Sequence, residues 1–282
     1  EDTLSLHDAL PISTPIGAAR DITLRALDIL ASADVLAAED TRTLRHLMEI
    51  HGIPLGDRPL VACHDHNEAQ VSPRLLKAIA DGKSVVYASE AGTPMVSDPG
   101  FPLARAVIAE GLNVTSAPGP SAAICALTVA GLPTDRFLFA GFAPSQKSAR
   151  RTFLQGLAPI EATLVLYESP KRINQILEDC CDILGEGRKI ALCRELTKRF
   201  EEVIRGTVDE VRQAIAERDL KGEIVLVIGR GEKAASDAAT IEAALDRALE
   251  QMTVKDAASA VAEAFDLPRR EVYQMALARG KA

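Results

Sequence analysis

Between residues 24 and 115, short apolar runs alternate with stretches whose apolar residues recur at helical spacing. Val35-Leu-Ala-Ala38, Leu60-Val-Ala-Cys63, Ser84-Val-Val-Tyr-Ala88 and Leu112-Asn-Val-Thr115 read as strands. Helices are expected between them: one carrying Leu24, Leu27, Ile29 and Leu30, and one carrying Leu44, Leu47, Met48 and Ile50. A third covers Arg74–Ala80, and a fourth begins near Gly100 with Leu103, Val107 and Ile108. Asp21 reads as the cap of the first helix and Gly52 as the stop of the second. This alternation predicts a mostly parallel sheet covered on both faces. The stretch Glu1–Ile12 fits the pattern poorly, because its apolar positions are sparse and His7-Asp8 interrupts them. Either an edge strand lies there or the segment replaces the true start of the chain, and the second reading is preferred.

Pro118-Gly119-Pro120 reads as a domain boundary. Beyond it a small-residue helix (Ser121–Ala130) precedes strands at Arg136–Ala140, Thr163–Tyr167, Lys189–Cys193 and Gly222–Ile228, with an edge strand at Glu202–Ile204. Helices follow Lys147 and Ile173 and cover Val208–Ala216, so the second half is also α/β, with a mixed sheet. From residue 233 the chain turns rich in Ala, Asp and Glu. Helices at Ile241–Leu249 and Val254–Phe265, then one carrying Val272, Met275 and Leu277 after an Asp266-Leu-Pro268 turn, resemble a helix-turn-helix. The division expected is therefore 1–117, 118–232 and 233–282, two α/β domains and a helical extension.

The 282 residues are 47% hydrophobic and 26% charged, an ordinary globular balance, with no Trp, so Ala, Leu, Val and Ile must fill the interior. No uncharged apolar run approaches the ~20 residues that span a bilayer, and the N-terminus lacks a signal peptide's basic-then-apolar order. Five cysteines without a CxxC pair read as reduced, mostly buried thiols of a cytoplasmic protein. A formal charge of −8 argues against nucleic-acid binding over the whole surface but not against a local basic patch.

Polar, tightly turned loops follow the strands: Ser13–Gly17, Glu39–Arg42, Ser89–Gly100, Pro118–Ser121, Glu168–Arg172 and Arg194–Lys198. Strand carboxyl ends are where open α/β sheets bind ligands, so these loops predict a cleft between the two α/β halves. In Ser89–Gly100, Gly92 admits close backbone approach while Pro94 and Pro99 stiffen the turn. His64-Asp65-His66 offers two imidazoles, short of the three or four ligands that zinc takes, and no metal is expected. G-x-S-x-G, G-x-x-x-x-G-K-[ST] and G-x-G-x-x-G are all absent, which argues against a serine hydrolase, a P-loop nucleotidase and a dinucleotide dehydrogenase. What remains is a ligand held by backbone and small side chains that carries the chemistry itself.

Thr14-Pro-Ile-Gly17, Ala38-Glu-Asp-Thr-Arg42, His64-Asp-His-Asn-Glu68, Ala91-Gly-Thr-Pro94, Ser97-Asp-Pro-Gly100 and Pro118-Gly-Pro-Ser-Ala122 form an ordered set. Gly131-Leu-Pro-Thr-Asp-Arg-Phe137, Tyr167-Glu-Ser-Pro-Lys-Arg172, Arg194-Glu-Leu-Thr-Lys198 and Gly222-Glu223 continue it. The set resembles the ribosomal small-subunit methyltransferase I family, the 16S rRNA cytidine 2′-O-methyltransferases of the tetrapyrrole-methylase superfamily. The resemblance implies S-adenosylmethionine in the interdomain cleft, a homodimer, and methylation of a cytidine ribose in the decoding region of the 30S subunit. It puts the cofactor at Pro15, Glu90, Gly92, Thr93, Pro94, Ser121, Ala122, Tyr167 and Cys193. Where the family has Ser-Asp-Ala-Gly, this chain has Ser89-Glu90-Ala91-Gly92, so the carboxylate sits one methylene further out.

A ribose hydroxyl benefits from a general base, for which Glu39, Asp40, Glu168 and Glu195 are candidates. For any single one, pairing with a nearby Arg is the preferred reading over catalysis. Arg42, Arg45, Lys147, Arg150, Arg151, Lys171, Arg172 and Lys198, with Arg20 and Arg199, lie in or beside the loops. They read as a phosphate-binding rim, or as scattered surface ion pairs. Methylation of a small tetrapyrrole-like acceptor and RNA binding without activity are the competing readings.

Overall fold

The computed structural model describes residues 9–231, 238–265 and 267–279. Two compact units divide the chain, Glu1–Arg230 and Gly231–Ala282, and both sheets belong to the first. The first sheet contains β1 (Ala9–Ile12), β2 (Val35–Ala38), β3 (Leu60–Ala62) and β4 (Val85–Ala88), all parallel, in the order β1-β4-β2-β3. Alternate residues face opposite layers, as the period of a strand requires. Leu10, Ile12, Leu36, Val86 and Ala88 pack with α1 (Leu24–Ser32) and α2 (Thr41–Ile50). Ala9, Val35, Ala37, Val85 and Tyr87 pack with α3 (Glu68–Ala80) and α4 (Phe101–Ala109).

The edge strand expected as one reading of the first residues is present at Ala9–Ile12, fully buried and in register with Val85–Ala88; residues 1–8 lie outside the described residues. The strand expected at Leu112–Thr115 is instead a broken pairing with β1, two isolated bridges at Ala9↔Val114 and Ile12↔Ala117. Thr115 N–H donates to Ala9 O and Ala117 N–H to Pro11 O, at 2.9 and 3.0 Å. The bond between them in the series would come from the N–H of Pro11, which a proline lacks. Two further boundaries move. The side chain of Thr23, not Asp21, caps α1 by accepting from Ala26 N–H. Helix α3 starts at Glu68 rather than Arg74, because the Asn67 side chain accepts from His64 N–H and turns the chain into the helix, which then absorbs Pro73.

The second sheet contains β5 (Phe137–Phe142), β6 (Thr163–Glu168), β7 (Lys189–Arg194), β8 (Glu202–Thr207) and β9 (Ile224–Ile228), in the order β5-β6-β9-β7-β8. β5 and β6 are parallel, while β9 runs antiparallel to both β6 and β7. One face packs on α5 (Ala122–Ala130), whose Ala123, Ala126 and Ala130 let it approach Val165, Ala191 and Val227 closely. Helices α6 (Lys147–Leu157), α7 (Ile173–Leu184) and α8 (Val208–Ile215) cover the other face through Leu154, Ile176 and Val211. Cys63, Cys180 and Cys193 are buried, and all five cysteines are free.

The second unit holds α9 (Ala238–Leu249), α10 (Val254–Phe265) and α11 (Arg269–Arg279) around Leu245, Ala258, Val261, Val272 and Ala276. Asp266, from the turn expected before α11, lies outside the described residues.

Arg150, expected on an exposed rim, is instead buried at 2% exposure between α6 and α7. Its Nε donates to Asp179 Oδ2 at 2.7 Å, and Asp179 Oδ1 accepts from Arg151 at 3.0 Å. Arg151 also pairs with Asp182 at 2.6 Å and is a third exposed. The pair locks two helices, and removing one partner strands a buried charge. Asp179→Ala should therefore cost about 3–5 kcal/mol in urea unfolding, whereas Arg151→Ala, at the exposed edge, should cost under about 1 kcal/mol.

Candidate active site

The loops after β1 and β4 are tied together by backbone. Thr14 N–H donates to Gly92 O at 2.9 Å, and Gly92 N–H returns a bond to Thr14 O at 3.0 Å. Gly92 sits at φ +81°, and a Cβ there would crowd Ile16 Cγ2 at 3.2 Å. The Ser89 hydroxyl donates to Gly92 O at 2.8 Å, and the Thr93 hydroxyl to Pro120 O at 2.9 Å, which draws in the start of α5. Gly119 fits because a Cβ would lie 2.8 Å from that of Ser13.

Hydrogen bonds join the second sheet to this framework. Ala18 N–H donates to the Thr197 hydroxyl at 3.1 Å. The Tyr167 hydroxyl, from β6, accepts from Ala123 N–H at 3.2 Å, capping the first turn of α5. Between the two sheets lies a cavity of about 600 Å³. Pro15, Glu39, Glu90, Gly92, Thr93, Ser121, Ala122, Tyr167, Glu168 and Lys198 line it, ten of the positions expected from sequence. Pro94 and Cys193 do not line it. Pro94 is buried in the turn, and Cys193 is buried in the core against α5.

The sequence pattern missed Asp98, Phe142 and the Gly222–Val225 wall. Gly222–Val225 leads into β9 and is brought to the cavity because β9 runs antiparallel to its neighbours. A rule that looks at strand carboxyl ends passes over it, although the Gly222-Glu223 motif was visible. Gly222, at φ +91°, leaves room for the Glu195 carboxylate, which a Cβ would strike. Asp98 shares the loop of Gly92, so its signal was present.

The candidate bases separate by their partners. Asp40 caps α2 and pairs with Arg42 at 2.7 Å, and that guanidinium holds its carboxyl well below the usual range. Glu195 accepts from Lys198 Nζ at 3.1 Å and from Glu223 N–H at 2.9 Å. Glu168 is fully buried; its Oε1 accepts from Arg172 at 2.6 Å and from Ser169 N–H at 2.7 Å, while Oε2 has no partner. Glu39 has no ion pair with a lysine or arginine among the described residues, and burial pushes its carboxyl up against a long 3.4 Å bond from Glu90 N–H.

Of the expected basic rim, Arg42, Arg45, Lys147 and Lys171 are exposed, and Arg172 is half-buried on Glu168. Lys198 reaches the cavity with its ammonium shared between Glu195 and Glu223. Among the described residues, no group of three His, Cys, Asp or Glu is arranged to hold a metal ion, and no helix is long and apolar enough to cross a membrane.

Residues 11–212 match the family model described as Tetrapyrrole (Corrin/Porphyrin) Methylases, and residues 234–280 match that of the RsmI C-terminal HTH domain. The ribosomal RNA small subunit methyltransferase I of Mesorhizobium japonicum is 43% identical over 94% of this chain and 90% of its own length. That of Haemophilus influenzae is 40% identical over 95% of both chains. Among solved structures, a uroporphyrin-III C-methyltransferase from Thermus thermophilus, complexed with S-adenosyl homocysteine, aligns with a TM-score of 0.55. It shares 18% identity and covers 79% of this chain and 97% of that one, a likeness of fold. With a sheet pair, a cavity and a sequence that all agree, the chain belongs to the ribosomal RNA small subunit methyltransferase I family of the tetrapyrrole methylases.

Proposed function

We propose that this chain methylates the ribose 2′-oxygen of a cytidine in 16S rRNA, using S-adenosylmethionine and acting on the small ribosomal subunit. The observation that carries the reading is the cavity, walled by backbone loops from both sheets, in a chain 43% identical to a named small-subunit rRNA methyltransferase. The reading includes a cytoplasmic homodimer, and it treats each sheet with its helices as one domain.

The residues fit S-adenosylmethionine. The crowded Gly92 cradle offers backbone rather than side chain, and Ser121, Ala122 and Thr93 add small polar surface beside it. Pro15 and Tyr167 supply flat apolar walls, and Glu90 places an exposed carboxylate at the edge. Bound there, the cofactor supplies a methyl group on a sulfonium. The chain positions the acceptor, and positioning supplies much of the rate of such a transfer. The cavity carries Glu39, Glu90, Asp98 and Glu168, so phosphates are held outside it, where Lys147 and Lys171 sit exposed beyond the ends of β5 and β6. A tetrapyrrole acceptor is the competing reading.

Labelled S-adenosylmethionine incubated with unmethylated small subunits should give one 2′-O-methylcytidine in 16S rRNA. Label appearing in a tetrapyrrole and not in the subunit would reverse the reading. Gly92→Leu should remove measurable cofactor binding in calorimetry while the protein still unfolds cooperatively; unchanged affinity would move the cofactor elsewhere. Lys171→Ala should weaken subunit binding and lower the slope of log affinity against log salt by about 1. An unchanged slope would make Lys171 ordinary surface charge.

A further inference from the structure

One aromatic side chain reaches the cavity through a departure from strand geometry. Successive residues of a strand point to opposite faces, so Phe139 and Phe142 of β5 would ordinarily lie on different sides of the sheet. They share one side instead. Phe139 pairs with Val165 and Phe142 with Tyr167, and the register of β5 on β6 shifts between Phe139 and Gly141, which leaves Ala140 as an extra residue. Such bulges are rare between parallel strands and re-aim side chains beside functional sites. Gly141 takes up the kink at φ +67°, a backbone that a residue with a Cβ adopts only under strain.

The bulge holds a phenyl ring on the cavity wall without covering it. Phe142 lines the cavity and is 54% exposed. Tyr167 meets its ring edge-to-face at 5.6 Å. Tyr167 is itself fixed by Phe139 at 4.8 Å and by the bond from Ala123 N–H to its hydroxyl. The Phe142 ring is thus braced by a rigid neighbour and left open elsewhere, forgoing burial that most phenylalanines obtain. The backbone cradle at Gly92, Thr93, Ser121 and Ala122 belongs to the loops after β4 and before α5. Phe142 comes instead from the strand end that leads to exposed Lys147, beside the end of β6 that leads to exposed Lys171.

We infer that Phe142 is the stacking platform for the base of the acceptor nucleotide. The inference rests on the ribose-methylation reading above. A ribose that enters the cavity takes its base out of the stack with neighbouring bases, and an aromatic side chain is the usual replacement for a lost neighbour. Phe142 offers that face on the cavity wall, while Lys147 and Lys171 meet phosphates outside. Every base has a π-face, so the stack fixes where the nucleotide sits and not which base it carries. With the base held, the ribose is presented to the cofactor in one orientation, and orientation of this kind supplies rate.

The test is single-turnover methylation of unmethylated small subunits by Phe142 variants, alongside S-adenosylhomocysteine calorimetry and sedimentation of the free protein. Phe142→Ala should lower kcat/KM for subunits about 5- to 150-fold, the range that loss of one base–aromatic stack produces. Its S-adenosylhomocysteine affinity should stay within about fivefold of wild type and its sedimentation should not change. Phe142→Tyr keeps the aromatic face and should retain kcat/KM within about fivefold, whereas Phe142→Leu, apolar but without that face, should stay more than about fivefold down. A smaller loss in Phe142→Ala, a Phe142→Leu as active as wild type, or a Phe142→Tyr as slow as Phe142→Ala would overturn the stack. Weakened S-adenosylhomocysteine binding would assign the ring to the cofactor, and altered sedimentation would assign it to a protein contact; either result overturns the inference. Wild-type protein inert toward subunits would overturn the ribose reading and the stack with it. Active wild type with an unaffected Phe142→Ala removes the stack alone.

Discussion

The reciprocal backbone pair between Thr14 and Gly92 is the contact on which the site depends. β1 and β4 run parallel, yet their following loops turn back and meet as an antiparallel bridge. That reversal needs left-handed backbone at Gly92 and leaves little room for a side chain there. Once the two loops are joined, Thr93 reaches Pro120 and positions the start of α5, which Tyr167 caps from the second sheet. One main-chain contact thus fixes three loops and sets where the second sheet can meet them. A cofactor bound to such a framework is met by groups that need little reordering, which lowers the entropic cost of binding.

Electrostatics divides the carboxylates of the region into two kinds. Asp40, Glu168 and Glu195 are held by Arg42, Arg172 and Lys198, and they brace loops while doing so. Glu39, Glu90 and Asp98 have no such partner and face one another across the cavity. The arrangement disfavours phosphate inside and leaves the exposed lysines outside to meet it. An acidic chain that acts on RNA can therefore keep its attraction local.

Most of this architecture was legible in the sequence, because strand and helix periods differ and each strand ends in a marked loop. The failures have specific physical causes. Ala9–Ile12 is too short to show a period, and only its pairing with Val85–Ala88 makes it a strand. Val114 and Ala117 join it in register, but Pro11 lacks the N–H that would make the pairing continuous. Arg150 was read as surface because its charge is visible and its partner Asp179, on the next helix, is not. Cys193 lies in a strand next to the site but on the face turned toward α5. Asp98 stood in the sequence only as part of the Ser97-Asp-Pro-Gly100 motif, and its place on the cavity wall is a property of the assembled loops.

Amide hydrogen exchange with and without S-adenosylmethionine tests most directly whether loops from both sheets form one cofactor site. The structure predicts added protection together at residues 14–17, 89–98 and 121–123 from the first framework and at 222–225 from the second sheet, all of which surround the same cavity. Protection confined to one sheet, or appearing away from these loops, would contradict a site built between the two.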